Sequence, residues 1–247
     1  MKENLVITPT YNEIENIELI IRAVMNLDTP FDMLIVDDGS PDGTGAKVKE
    51  LMQEFDGRLF LEERTEKNGL GTAYIHGFKW AMERDYQYVY EMDADFSHNP
   101  NDLPKLYKAC KEEGNDMAVG SRYKSGVNVV NWPMGRVLMS YFASKYVQFI
   151  TGLPINDTTA GFKCYTNRVL KTLLNNDKIH FVGYAFQIEM KFKTWKYGYK
   201  IQEVPIIFTD RTRGESKMST KIFKEAFFGV IFLKIRSYFR KFHRYED

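Results

Sequence analysis

The stretch Tyr88-Val89-Tyr90-Glu91-Met92-Asp93-Ala94-Asp95 decides the fold. Its first five residues read as a short buried strand, and the run stops at two carboxylates. An isolated Asp-x-Asp is weak evidence, since a chain of this length holds roughly one by chance at average composition. Its position just past a strand is better evidence, because other apolar runs end the same way. Leu5-Val6-Ile7 leads into Thr8-Pro9-Thr10-Tyr11-Asn12-Glu13. Residues 33–36 stop at Asp37-Asp38-Gly39-Ser40-Pro41-Asp42-Gly43, and Met117-Ala118-Val119 leads to Gly120-Ser121-Arg122.

Amphipathic helices separate these runs. Asn12 reads as the N-cap of a helix with Ile14, Ile17, Ile21 and Val24 on one face. A second helix carries Val48, Leu51, Met52 and Phe55. Leu59-Phe60-Leu61 is a further strand, and Asn68-Gly69-Leu70-Gly71 is a close-packed turn before a helix that runs to Arg84. Another helix covers 101–113. Repeated strand–helix units predict an α/β fold, a Rossmann-like mostly parallel sheet with helices on both faces. Ligands of such sheets bind beyond the carboxyl ends of the strands. The polar strand ends above therefore converge on one binding edge.

The second half differs. Residues 136–150 form an aromatic-rich helix between Pro133 and Gly152, followed by Asn156-Asp157-Thr158-Thr159-Ala160-Gly161-Phe162-Lys163. Residues 201–208 read as a strand, and 210–219 as a polar, basic loop. From residue 220 a helix mixes Phe223, Phe227, Phe228, Phe232 and Ile235 with Lys221, Lys224, Lys234, Arg236, Arg240, Lys241 and Arg244. Two units are expected: a catalytic domain over 1–219 and an amphipathic, basic and aromatic membrane-interfacial helix over 220–247.

Composition narrows the function classes. The 247 residues carry a formal net charge of +1, so the molecule as a whole is no electrostatic binder of nucleic acid. Cys110 and Cys164 form neither a disulfide framework nor a metal motif. The first apolar run is too short for a signal-peptide core, and no stretch reaches the roughly 18 apolar residues of a membrane span. A reduced, cytosol-facing location fits.

Two carboxylates side by side repel, and a divalent cation relieves the repulsion. Oxygen ligands favour Mg²⁺ or Mn²⁺ bound jointly with substrate phosphates. Asp37 and Asp42 read as turn and cap residues, whereas Asp38 suits hydrogen bonds from a base or ribose. Pro9 and Tyr11 can shape and stack against a base. Glu13 is a further candidate, and is equally a favourable charge in a first helical turn. Arg122, Arg136, Arg211 and Lys217 are candidates to neutralise phosphates, with 211–217 able to close over a ligand. Asp157 either orients a substrate or caps a turn. His76, His98 and His180 lack metal spacing and read as structural.

Taken together, these segments resemble the inverting family-2 glycosyltransferases of the GT-A fold, and more narrowly the polyprenol (dolichyl) phosphate mannose synthases. The resemblance is carried by 9–13, Val36 through Thr44, Gly69-Leu70-Gly71-Thr72-Ala73-Tyr74, Met92 through His98, Gly120-Ser121-Arg122-Tyr123, and Asp210-Arg211 through Gly214-Glu215-Ser216-Lys217. It implies that Pro9, Tyr11, Glu13, Val36 and Asp38 hold the nucleotide. It implies that Asp93, Ala94 and Asp95 sit at the diphosphate and metal, with Asp95 the direct ligand. Ser97 falls where some relatives use a glutamine ligand, and its side chain is shorter. Arg211 and Lys217 would grip the sugar donor, and Arg122 and Arg136 would guide the acceptor phosphate, with Asp157 beside them.

The implied reaction moves mannose from GDP-mannose to polyprenyl or dolichyl phosphate with inversion. A phosphate nucleophile, with a second pKa of about 6, needs no strong general base. The chain is expected to lie peripherally on the cytosolic face of a membrane, held by its own helices or by a small membrane-anchor protein. A sister enzyme moving glucose, an inactive nucleotide-sugar-binding scaffold and a signalling receiver domain are the competing readings. The receiver places its acidic pair after the first strand, where this chain has Pro-Thr-Tyr-Asn-Glu.

Overall fold

The structure is a computed structural model describing residues 2–66, 68–176, 178–183, 185–211 and 220–244, with side chains of 220–226 excluded. The chain opens with β1 (Asn4–Thr10), α1 (Ile14–Met25), β2 (Asp32–Asp37), α2 (Thr44–Glu54), β3 (Leu59–Glu63), α3 (Leu70–Met82) and β4 (Tyr88–Glu91). After a 3-10 turn at Pro100–Asp102 come α4 (Leu103–Lys111), β5 (Met117–Ser121), β6 (Val129–Val130) and α5 (Met134–Thr151). The rest is β7 (Lys163–Thr166), α6 (Asn167–Asn175), α7 (Ala185–Lys196), β8 (Ile201–Pro205), β9 (Phe208–Thr209) and α8 (Thr220–Tyr238).

Seven strands form one sheet in the order β3-β2-β1-β4-β7-β5-β8. The first four are mutually parallel, and β5 pairs parallel with β8. β7 alone runs backwards, antiparallel to both β4 and β5. The mostly parallel α/β expectation therefore holds. The reversed strand is the part that sequence periodicity does not announce. Because β7 runs backwards, its start rather than its end lies at the binding edge. The Asn156–Phe162 segment is thereby delivered beside Asp93 and Arg122.

Apolar residues cover both faces. Ile17, Ile20, Ile21 and Val24 of α1 join Val48 and Leu51 of α2 and Leu103 and Leu106 of α4 on one side. Phe78 of α3, Val169 and Leu170 of α6, and Phe186 and Met190 of α7 form the other side. Each such fully buried side chain contributes about 1.5–3 kcal/mol. The start of α3 is pressed onto the segment before α7. A Cβ on Gly71 would stand 2.8 Å from the Phe186 ring, and one on Gly69, at φ +94°, 2.9 Å from the Val182 carbonyl oxygen. That crowding is the reason for glycine in the Asn68–Gly71 turn.

Two expectations are corrected. α1 starts at Ile14 with Glu13 at the N-cap position and no side-chain cap, while Asn12 takes φ 56° and donates its N–H to Ser40 Oγ. The loop from β2 occupies the space a capping side chain would use. The 201–208 run is two strands, because β9 leaves the sheet to pair with β6.

α8 packs on α5 and α7, burying Val230 and Leu233 with Val147, Ile188 and Phe192. Tyr146 donates its hydroxyl to the Phe227 carbonyl and stacks on the Phe227 ring. The other faces of the two helices stay open: Leu138, Phe142 and Phe149 on α5, and Phe228 and Ile235 on α8, are exposed, as is Phe239 just beyond. Among the described residues no helix is long and apolar enough to cross a membrane.

Candidate active site

β1 and β2 deliver the first part of the site. Their register pairs Pro9 with Val36 and Thr10 with Asp37. Asp37 is consumed locally: both the Thr10 and Ser40 hydroxyls and the Ser40 N–H donate to its carboxylate. Asp42 accepts from the Thr44 N–H and hydroxyl and the Ile14 N–H, which hold its carboxyl below the usual range against the opposing effect of burial. Both behave as turn and cap residues. Pro9, Tyr11 and Glu13 are half-exposed along the same edge, and Glu13 accepts from the Asn16 amide. Val36 is fully buried, so only its backbone can meet a ligand.

Asp38 is held by a residue that sequence reasoning missed. Arg64, just past β3, donates from Nε to Asp38 Oδ1 at 2.7 Å and from Nη1 to Thr72 Oγ1 at 2.9 Å. Arg64 also extends the β2–β3 pairing, its N–H donating to the Asp37 carbonyl. The available signal was an arginine directly after a strand at the edge where Asp38 lies.

The acidic turn is the centre of the site. Asp95 is buried; its Oδ1 accepts the Ser97 N–H at 3.0 Å, and Arg211 Nη2 lies 3.0 Å from its Oδ2. Ala94 and Ser97 are buried in the same turn. Asp93 is 41 % exposed, and Tyr74 of α3 donates to it at the long distance of 3.5 Å. Loss of hydration in the cleft, then the neighbouring Asp95 carboxylate, push the Asp93 carboxyl up to about 7. His98 lies beneath, stacked on Phe162, and accepts the Asp93 N–H at Nδ1. Burial pushes its imidazole down to about 4, so the ring is neutral and able to accept. Its sequence reading as structural agrees with this placement.

This donor set suits a divalent cation. Two adjacent carboxylates, one already resisting ionisation, ask for positive charge, and the Arg211 guanidinium stands against one of them. Among the described residues no group of three His, Cys, Asp or Glu side chains is arranged to hold a metal. Further ligands would have to be oxygens of a bound phosphate or water. The Ser97 contribution visible here is its backbone N–H to Asp95.

On the other side of the acidic turn, Arg122 follows β5. Its Nε and Nη2 meet both oxygens of Asp157 at 2.7 and 2.6 Å, its N–H donates to Oδ2 at 2.9 Å, and Nη2 also reaches Thr159 Oγ1. Trp132 and Phe208 rings lie 5.4 and 5.5 Å from its guanidinium carbon. Asp157 is fully buried. Burial alone would raise its carboxyl, but Arg122 holds it below the usual carboxylate range. Asp157, expected beside the acceptor phosphate, is paired with the Arg122 guanidinium, which is itself buried. Glu203 of β8, also missed, accepts the N–H groups of Asn156 and Asp157 and the Ser121 hydroxyl. An acid within the 201–208 strand run was its signal. Arg136, at the start of α5, donates from Nη1 to Asp210 at 2.8 Å and stacks on Trp132. It thereby stands beside Arg211, the residue after Asp210. Lys217 lies outside the described residues.

Fold and site define a glycosyltransferase of the GT-A type, with its acidic and cationic side chains gathered along one sheet edge. The glycosyl transferase family 2 model matches residues 5–174, and the chain belongs to that family. It is 44 % identical over 229 residues to the polyprenol monophosphomannose synthase of Mycolicibacterium smegmatis, covering 93 % of this chain and 86 % of that protein. It is 43 % identical over 226 residues to the undecaprenyl-phosphate mannosyltransferase of Micrococcus luteus, covering 92 % and 91 %. Among solved structures, glucosyl-3-phosphoglycerate synthase from Mycobacterium tuberculosis, with Mn²⁺, UDP-glucose and phosphoglyceric acid, shares the fold at TM-score 0.68 and 16 % identity, over 96 % of this chain and 79 % of that one. Staphylococcus aureus TarS with UDP-GlcNAc does so at TM-score 0.61 and 20 % identity, over 96 % and 66 %.

Proposed function

We propose that the protein transfers mannose from GDP-mannose to a polyprenyl or dolichyl phosphate, with inversion at the sugar carbon. The observation that carries this reading is the similarity to two polyprenyl-phosphate mannose transferases at over 40 % identity across more than nine-tenths of the chain. The site's own chemistry supports it: acidic and cationic groups lie together where two anionic substrates must meet.

In this reading Pro9, Tyr11, Glu13, the Val36 backbone and Asp38 hold the nucleoside, with Arg64 fixing Asp38. Asp93, Ala94 and Asp95 face the diphosphate, and Arg211 and Lys217 grip it. A bound Mg²⁺ or Mn²⁺, held by Asp95 with Asp93, would stabilise the charge developing on the leaving diphosphate. Arg122 presents cationic charge to the acceptor phosphate, and Asp157 keeps the guanidinium oriented. Arg136, held on Asp210, adds cationic charge on the acceptor side. The acceptor oxygen attacks the sugar carbon while the bond to the diphosphate breaks. The acceptor phosphate is already ionised, so no side chain need remove a proton. Holding two anions in line is the harder task, and charge preorganisation addresses it.

One assay tests the reading. Labelled GDP-mannose with polyprenyl phosphate is expected to give an inverted glycolipid, and UDP-glucose in parallel is expected to give none. Transfer from UDP-glucose alone, or retained configuration, would sink it.

The open faces of α5 and α8 are proposed to rest on a membrane surface, the basic residues of the tail meeting anionic headgroups. The chain is expected to co-sediment with vesicles containing anionic lipid, and Phe228→Ser with Phe239→Ser to weaken this by roughly a hundredfold or more, since two aromatic side chains leave the lipid. Equal sedimentation of the variant would exclude this face. Residence on the cytosolic side and a membrane-anchor partner belong to the same proposal.

A further inference from the structure

Beneath the site lies a set of buried polar groups that the reaction does not use. Glu91, two residues before Asp93, is fully buried and forms an ion pair with Lys163 at 2.9 Å across the β4–β7 pairing. Tyr165 donates its hydroxyl to Glu91 Oε1, and Gln187 of α7 donates from Nε2 to Oε2 at 2.8 Å. One helical turn further along α7, Lys191 is fully buried and donates from Nζ to the Ala160 carbonyl at 2.6 Å. Ala160 belongs to the loop whose Asp157 and Thr159 clamp Arg122.

Residues four apart on a helix share one face. The Gln187–Lys191 face of α7 therefore reaches the strand carrying the acidic turn with one side chain and the arginine-clamping loop with the other. Burying an ammonium group is unfavourable, and burial does push the Lys191 ammonium well below the usual lysine range. An apolar side chain of the same length would fill the space without that penalty, but it could not fix the loop.

We propose that α7 is the spacer that sets the donor carboxylates against the acceptor-side arginine, with Gln187 and Lys191 as its positioning residues. The proposal rests on the reading that the sugar donor lies at Asp93 and Asp95 and the acceptor phosphate at Arg122. The spacer touches neither substrate. It fixes the separation of the two groups that must meet.

The test uses the full chain carrying Lys191→Met or Gln187→Met. Each variant is expected to bind GDP with Mn²⁺ within about twofold of wild type, and to lose roughly 10–100-fold in kcat for transfer, because a misplacement of about an ångström costs on that order. Hydrolysis of GDP-mannose by water, which needs no acceptor site, is expected at the wild-type rate. The double variant is expected to lose no more than the worse single one, since both lesions act on one separation. Wild-type kcat in either folded variant would overturn the proposal. So would loss of GDP binding and of hydrolysis in step with a fall in melting temperature, the mark of ordinary structural support. If Lys191→Met does not fold, Gln187→Met carries the test alone. A wild-type chain that binds GDP but transfers nothing to polyprenyl phosphate would sink the functional reading, whereas the spacer fails only on the variants.

Discussion

Asp95→Ala is expected to lower mannosyl transfer by about 10²–10³-fold, the usual consequence of removing one preorganised group that stabilises developing charge. Asp95 has two tasks. Its Oδ1 closes the acidic turn on the Ser97 N–H, and its Oδ2 faces the Arg211 guanidinium, where the proposed divalent ion would also be held. Asp93 is a poorer replacement, because its side chain is more exposed and lacks both the Ser97 N–H and the Arg211 contact that Asp95 makes. The fold should survive, since deleting one of two mutually repelling carboxylates relieves strain. Labelled transfer measured beside a thermal melt checks both halves. A variant that melts normally and still transfers at a tenth of the wild-type rate or better would remove Asp95 from the mechanism.

Asp157→Ala is expected to produce the largest loss of stability. It leaves the Arg122 guanidinium buried without its bidentate partner, which costs about 3–5 kcal/mol in comparable sites. In a chain of this size that corresponds to a fall in melting temperature of roughly 10 °C. Transfer should fall further than stability, because the freed guanidinium no longer holds one orientation. The double replacement Arg122→Met with Asp157→Leu separates the two effects. Swapping a whole buried pair for apolar side chains is often neutral, so melting should recover while transfer stays lost. Recovery of transfer would show that the pair only supports the fold.

Much of the frame could be read without coordinates. The apolar runs Leu5-Val6-Ile7, 33–36, 59–61 and 88–91 fall on strands of the sheet, and Ile17, Ile21 and Val24 fall on a buried helix face, whereas Ile14, expected on that face, is exposed. The convergence of Thr10, Asp38, Asp95 and Arg122 follows from parallel strands that all end at one edge. Less could be read of what each charge would meet. Asp157 read as a group orienting the acceptor, with a turn cap as the alternative, and the structure pairs it with Arg122. Arg64 and Glu203 drew no notice, although one anchors Asp38 and the other the Asn156–Asp157 turn.

The difference has a physical basis. Periodicity and strand-end chemistry are local, fixed by the 3.6-residue and 2-residue repeats of the backbone, so sequence alone determined the alternating α/β frame, its binding edge and the acidic turn upon it. Charge pairing is not local. Arg64 meets Asp38 across 26 residues, Arg122 meets Asp157 across 35, Arg136 meets Asp210 across 74 and Gln187 meets Glu91 across 96. Only the reversal of β7 brings the Asn156–Phe162 segment to the same edge as β4 and β5. That reversal depends on which strands win the central hydrogen-bonding positions, a competition decided by the packing of the whole chain. Tertiary structure therefore decided which of the many charges face a substrate and which hold another charge in place.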